Sequence, residues 1–420
     1  SRLSRGLGDV YKRQPLVSIG LILPVDKQKS VKIRTVNNLD YEIKSLENYI
    51  LVNGEKSNHF YLNELTSDSG YNINPVTAGR GFHWQKQIDI SIKGSIKIRN
   101  VDGYLFLINE IGMENYLMSV ATSEMSGECP EALLEAQTIA ARSWLIASEE
   151  QKHKDLGIDA CNDDCCQRYQ GIKSISAKAK SAALNTRGKF VIHNNKICDT
   201  RYSKSCGGIS ENNENVWGDN PKEYLRAIFD GRSGDIPDFS DEEQLNKWIF
   251  EPPDCYCNNK HINKSELKKF LGSVDESGDY FRWEITYSNE QLTKIINKKL
   301  NESFDSIESL IPMKRGLSGR IMSLTINGKK DQKKHKTLVD SEYDIRKTLH
   351  PEFLFSSAFV INANSNSQSC AEKVTLSGAG WGHGSGLCQI GALGMAIIGK
   401  SSEKILKHYF SSTEIKKMYD

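Results

Sequence analysis

The 420-residue chain carries 55 Lys and Arg against 53 Asp and Glu, a net charge of +2. That balance leaves no electrostatic footprint for nucleic acid or any other polyanion. A hydrophobic content of 38% suffices for one large core or two or three smaller ones, while no apolar run reaches the length of a membrane span; Ser18 to Pro24 is too short and is broken by its proline.

In chain order, residues 1–14 lack periodicity, an initiator Met and a cleavage-site pattern, and read as an adapter-like segment outside the fold. A signal peptide is therefore not legible at this end. Residues 15 to 103 read as β-rich: Ile88, Ile90 and Ile92, then Gly94, then Ile96 and Ile98 alternate with polar residues as in a hairpin with one buried face. Tyr104 to Ile108 follows as a continuous apolar strand. Helical periodicity covers Glu114 to Ala121, Pro130 to Glu149 and Ser174 to Leu184, with a stop at Gly188. Lys196 to Ser203 is a strand leading into the turn Gly207-Gly208. From about 230 to 318 the chain is more polar and carries short helices, with a capping-box pattern at Ser240 to Glu243 and a helix over Ser288 to Lys298, and reads as an inserted subdomain. Strands return at Arg320 to Ile326, turned by Asn327-Gly328, and at Phe353 to Ile361; a glycine-rich segment and two short helices close the chain. Strands and helices mixed without βαβ spacing predict an α+β fold.

Two segments carry chemistry. Ser123-Glu124-Met125 stands before Pro130 and a helix whose Leu133, Ala136, Ala140, Trp144 and Ala147 make one apolar stripe. Read by itself, Glu124 either does acid–base work or merely charges a helix start, and Glu128 is the competing carboxylate. Gly378-Ala379-Gly380-Trp381-Gly382-His383-Gly384-Ser385-Gly386-Leu387-Cys388-Gln389-Ile390-Gly391-Ala392 places glycines at alternate positions, which suits positive φ and close backbone approach. No register fits a dinucleotide fingerprint, and no Gly-Lys-Ser/Thr follows, which argues against a nucleotide site. A third cluster gathers His153, Cys161, Cys165 and Cys166, followed by Gln167-Arg168-Tyr169-Gln170-Gly171. Vicinal cysteines rarely bridge each other. Three thiolates and an imidazole suit a closed, structural Zn²⁺ site, with disulfides to other cysteines as the alternative. Cys198, Cys206, Cys255 and Cys257 are free to pair among themselves, with no connectivity fixed.

The first two segments, in this order and about 250 residues apart by inspection of the sequence, resemble the SpoIID/LytB family of bacterial cell-wall proteins. The resemblance covers most of residues 104 to 418, which would form the catalytic domain. It implies an exported cell-envelope protein that acts on peptidoglycan glycan strands as a lytic transglycosylase, with Glu124 as sole acid and base. It also implies a groove in which Arg142, Tyr202, Ser203, Ser205 and His383 contact substrate. Alone, Arg142 reads as a solvated ion-pair residue beside Glu131 and Glu135, Tyr202 to Ser205 as a buried strand ending in a tight turn, and His383 as a structural imidazole bonded to backbone. Some family members bind zinc through a similar cysteine segment; here Cys165 stands where the family has a His, and His153 is the outlying ligand.

The reading is thus a lytic transglycosylase with structural zinc and no catalytic cofactor. Its rival is a glycan-binding enhancer of a cell-wall amidase that cuts nothing itself. A zinc hydrolase is disfavoured because no His-Glu-x-x-His occurs and four ligands would fill the metal. A peptidase built on Cys388 and His383 lacks an orienting third residue.

Overall fold

Alternating β-branched residues build the first half of the chain into sheets whose inward faces are almost purely aliphatic. The computed structural model describes residues 15–63, 70–81, 85–218, 220–258, 260, 264–272, 280–364 and 372–420. The adapter-like segment 1–14 lies outside them. Strands and helices are mixed as the α+β expectation requires, and among the described residues no helix is long and apolar enough to cross a membrane. The chain divides into two units. One comprises residues through Asp199 together with 268–276 and 414–420; the other comprises 200–267 and 277–413.

In the first unit a six-stranded sheet runs Glu55–Ser57, Ile50–Val52, Asp40–Ser45, Ser30–Thr35, Tyr71–Ala78, Lys86–Ile92, and a five-stranded sheet runs Ala160–Cys161, Leu16–Ile22, Tyr104–Gly112, Ser95–Val101, His59–Leu62. The expected hairpin around Gly94 is corrected. Lys86–Ile92 pairs with Tyr71–Ala78, whereas Ser95–Val101 pairs with Tyr104–Gly112, so the chain turns a corner from one sheet to the other. Gly94 permits that corner: its φ is +88°, and a Cβ there would lie 2.2 Å from the Glu110 carbonyl oxygen.

Three helices follow: α1 (Met113–Glu124), α2 (Glu131–Ala147) and α3 (Ala177–Asn185). Pro130 is the cap of α2 and not its first turn, and Ser176 caps α3 by accepting from the Ala179 N–H. Ile19, Ile33, Ile73, Ile98 and Leu107 of the sheets share one core with Tyr116 and Leu117 of α1 and Trp144 of α2. The β-rich region expected to end at 103 is therefore not a separately packed body. Helix α2 is buried nearly all round rather than along one stripe.

The second unit holds two three-stranded antiparallel sheets, Arg282–Ser288 with Lys373–Ala379 and Phe359–Asn364, and Ser306–Arg315 with Ile321–Lys330 and Lys333–Asp340. Asn327-Gly328 does not turn the chain. The strand continues through it, and the reversal falls at Asp331-Gln332, both at positive φ. Gly328 instead allows close pairing, since a Cβ would sit 2.3 Å from the Ser306 carbonyl oxygen. The expected helix at 240–243 begins at Asp241, which caps Glu242–Phe250 without a capping box; Ser288 caps Asn289–Leu300 with one. Tyr202–Ser203 pairs in parallel with Leu387–Cys388, which brings the strand before Gly207-Gly208 beside the end of the glycine-rich segment.

Candidate functional site

Glu124 stands before α2, as expected, and is also the last residue of α1; it is 8% exposed. A segment from the cysteine cluster holds that helix end. The Arg168 N–H donates to Glu124 Oε1 at 3.0 Å, the Gln170 N–H donates to Ser123 Oγ at 3.1 Å, and the Ser119 hydroxyl donates to the Gly171 carbonyl. Tyr116 Oη donates to Gln167 Oε1, and Gln167 Nε2 donates to the Ala141 carbonyl, tying the same segment to α1 and α2. A carboxyl so oriented in a nearly dry setting suits proton donation and return.

A second carboxyl group bears on it. Asp164 pairs with Arg168, and burial pushes its carboxyl up to about 6 against the opposing Arg168 charge, with the negative charge of Glu124 adding to the rise. Glu128, the competitor named from sequence, is 71% exposed in its side chain and, among the described residues, lies 3.9 Å from Lys178 Nζ. Asp164 was missed because its approach to Glu124 spans forty residues of chain.

The cysteine cluster assembles as expected. One ligand atom each from His153, Cys161, Cys165 and Cys166 falls within 4.8 Å of the others, with Cys165 Sγ 3.0 Å from Cys161 Sγ and 3.7 Å from His153 Nε2. The donor set of three thiols and one imidazole fits zinc by type and number, and closing a tetrahedron with Zn–S of about 2.3 Å would spread Cys161 Sγ and Cys165 Sγ from 3.0 Å to about 3.8 Å. Hydrogen bonding from Cys161 and Cys166 draws Cys165 down, whereas Cys165 and Cys166 push Cys161 up. Three packed thiols thus cannot all ionise without a cation among them. The β-rich region braces the loop: Asp163 accepts from the Gly79 and Arg80 N–H groups, and Arg80 also pairs with Asp26.

Arg142 is corrected in both of its expected settings. It is 0% exposed and neither faces solvent beside Glu131 nor offers a surface to a sugar. Its guanidinium grips Glu114 with two bonds of 3.0 and 2.6 Å and also donates to the Lys189 carbonyl and Thr186 Oγ1.

The remaining predicted residues gather in the second unit. Ser205 is fully buried, its hydroxyl accepting from the Gly207 N–H, so its expected substrate contact is also corrected. Ser203 is buried with a hydroxyl that has no hydrogen-bond partner among the described residues, and Tyr202 is half-buried. His383 accepts the Ser385 N–H at Nδ1, meets Trp217 edge-on, and makes a backbone hydrogen bond with Tyr202. Its ring is anchored to backbone on both sides. Gly380, Gly382, Gly384 and Gly386 all take positive φ, as their spacing predicts. Sequence did not show what they enclose: a Cβ on Gly384 would lie 2.3 Å from the buried Arg320 guanidinium, which donates to the Gly382 carbonyl and Ser318 Oγ. A groove of about 690 Å³ on the six-stranded sheet, lined by Lys32, Arg34, Tyr41 and Asp89 among others, contains none of the predicted site residues.

With this geometry, the stage II sporulation protein (SpoIID) family matches residues 102–193, which span α1, α2, the cysteine cluster and Glu124. Residues 102–193 are thus a SpoIID domain, and relatives named stage II sporulation protein D and amidase enhancer are similar to the chain. Residues 211–386 match a domain described only as one of unknown function. An uncharacterized protein of Brachyspira hyodysenteriae is 25% identical over 78% of this chain and 72% of its own. Stage II sporulation protein D of Bacillus amyloliquefaciens is 24% identical over 73% of this chain and 75% of its own. The amidase enhancer of Bacillus subtilis is 25% identical over 71% of this chain, but the match spans only 40% of that protein.

Proposed function

We propose that this chain is a peptidoglycan lytic transglycosylase of the bacterial cell envelope, cutting the MurNAc–GlcNAc bond with Glu124 as its single acid and base. The observation that supports this most directly is the setting of Glu124, buried at the end of α1 and oriented by the Arg168 N–H within the stretch that matches the family. Glu124 gives its proton to the glycosidic oxygen as the C1–O bond breaks, and an oxocarbenium-like centre forms at C1 of the muramic acid. The 6-hydroxyl oxygen of the same sugar then bonds to C1 while its proton passes to the Glu124 carboxylate. The product is a 1,6-anhydro end, no water enters, and the enzyme returns to its starting state. Within the second unit, taken by itself, Tyr202, Ser203 and His383 keep a proposed part in binding glycan. Zinc held by His153, Cys161, Cys165 and Cys166 would supply a cross-link that fixes the Arg168–Gly171 segment against α1; its four protein ligands fill a tetrahedron.

A second reading is favoured by the relative named an amidase enhancer: the chain would hold glycan and stimulate a cell-wall amidase. Mass spectra of products from purified glycan strands separate the two. Transglycosylation leaves anhydro ends that resist chemical reduction and lie about 20 Da below reduced hydrolysis products. Glu124→Gln should lower the rate by about 10²–10⁴ with folding preserved. Reducing ends would overturn the proposal in favour of a hydrolase, with Asp164 as the next carboxylate. Intact glycan beside an accelerated amidase would establish the enhancer reading.

A further inference from the structure

A second cluster, with which the Glu124 chemistry has no connection, lies inside the other unit. Cys206 follows the strand Tyr202–Ser203, Asp230 and Cys257 come from the polar stretch, and Cys388 caps the helix Gln389–Ile397. The four ligand atoms lie within 4.8 Å of one another, and each residue is buried to 2% exposure or less. Cys206 Sγ is 3.7 Å from Cys257 Sγ and 3.4 Å from Asp230 Oδ2.

The surroundings are those of anionic sulfur. The Gly208 N–H donates to Cys206 Sγ at 3.4 Å, and the Cys206 and Gly391 N–H groups each donate to Cys388 Sγ at 3.2 Å. The last of these is also a helix N-terminus, which favours negative charge. Asp230 is aimed by its neighbours: Tyr409 Oη donates to Oδ1 at 2.7 Å, which leaves Oδ2 towards the thiols. Such outer partners are what orient the ligands of a metal. The Asp230 main chain bonds to the Gly208 carbonyl and the Tyr256 N–H, so it ties two cysteine-bearing loops together. Gly391 completes the fit, since a Cβ there would sit 2.2 Å from Tyr409 Oη and 2.5 Å from Asp230 Oδ2. The nearby Arg282 spends its N–H groups on the carbonyls of Gly207, Trp248, Ile249 and Phe281, not on this cluster. A disulfide would consume two of the three sulfurs and leave a thiol beside a buried carboxylate whose nearest basic group among the described residues is His408, with Nε2 3.4 Å from Asp230 Oδ1 on the side away from the thiols.

We propose that Cys206, Asp230, Cys257 and Cys388 hold a second structural zinc ion. Three soft thiolates and one carboxylate close a tetrahedron, and the 3.7 Å sulfur separation matches the span of about 3.8 Å that Zn–S bonds of about 2.3 Å impose. The ion would staple the turn after Tyr202–Ser203 to the end of the glycine-rich segment that carries His383.

Zinc per chain is to be measured on the full-length protein, purified without chelator, for wild type, Cys257→Ser and Cys166→Ser, with disulfide mapping of the wild type. Wild type should hold about two zinc ions, and each variant about half as much. A wild type with one zinc that Cys166→Ser retains and Cys257→Ser loses would support this site and overturn the His153 cluster. A zinc content unchanged by Cys257→Ser, or a native disulfide at Cys206, Cys257 or Cys388, overturns the proposal. Should Cys257→Ser not fold, the wild-type count, Cys166→Ser and the mapping decide: no zinc, a single zinc that Cys166→Ser loses, or such a disulfide overturns it.

Discussion

Arg142 shows how a single residue changes meaning once its partner is known. An arginine on a helical wheel beside two glutamates reads as solvated, because charged side chains are rarely buried unless paired. The partner, Glu114, lies on the preceding helix, and no local spacing announces it. Removing one member of a buried pair leaves the other charge without compensation, so Arg142→Met should cost about 3–5 kcal/mol of stability, and Arg142→Met with Glu114→Leu should recover part of it. Urea unfolding of the three proteins checks this; an unperturbed midpoint for the single variant would contradict the buried-pair assignment. His383 makes a prediction in pH. Burial, with the positive charges of Arg201, Arg320 and Arg346, holds its imidazole well below the ordinary 6.5. Below about pH 6.5 the unfolded chain binds a proton that the folded chain refuses, so stability falls as pH falls through this window. Asp164 acts with the opposite sign, since a raised carboxyl favours the fold at low pH, and the comparison must therefore be between wild type and His383→Asn. Thermal midpoints between about pH 7.5 and 5 should decline less steeply in the variant; parallel slopes would assign the titration to other groups.

At the scale of elements, period and punctuation carried much of the fold. The helices at 113–124, 131–147 and 177–185 lie within a few residues of their periodic signals, and the alternating glycines of 380–386 do take positive φ. Glycine was read less well where its role is proximity and not turning: Gly94 bends the chain between sheets and Gly328 sits inside a strand, both because a neighbouring carbonyl leaves no room for a Cβ. The same limit governs the candidate sites. His153, Cys161, Cys165 and Cys166 were legible because fourteen residues hold all four. Asp230 and Cys388 were not, because their cluster draws on positions 206 to 388, and sequence alone offered Cys206 and Cys257 only as disulfide partners. Asp164 and Arg320 were invisible for a related reason, since each acquires its role from a segment far along the chain.

For the whole molecule, the order of segments makes the last residues part of the first unit. After the second unit ends, Glu414–Lys417 returns to pair antiparallel with Lys189–His193, with Ile415 opposite Val191. Tyr419 then enters the core, 4% exposed, with its ring edge-on to Phe190 and its hydroxyl donating to Glu114, the partner of Arg142. Seven residues at the end thus complete the surroundings of a pair that links α1 to α2, and α1 is the helix that presents Glu124. Deleting 414–420 removes a buried aromatic and a strand edge together, a loss of about 3 kcal/mol or more by comparison with large-to-small core changes. Tyr419→Phe removes only one hydrogen bond, about 1 kcal/mol. Amide hydrogen exchange should accelerate in α1, α2 and Lys189–His193 by an amount that follows this order, with the deletion far above the point variant. Equal protection in wild type and deletion would mean that the C-terminal strand adds nothing to the fold that holds Glu124, and that the Arg142–Glu114 pair is supported without Tyr419.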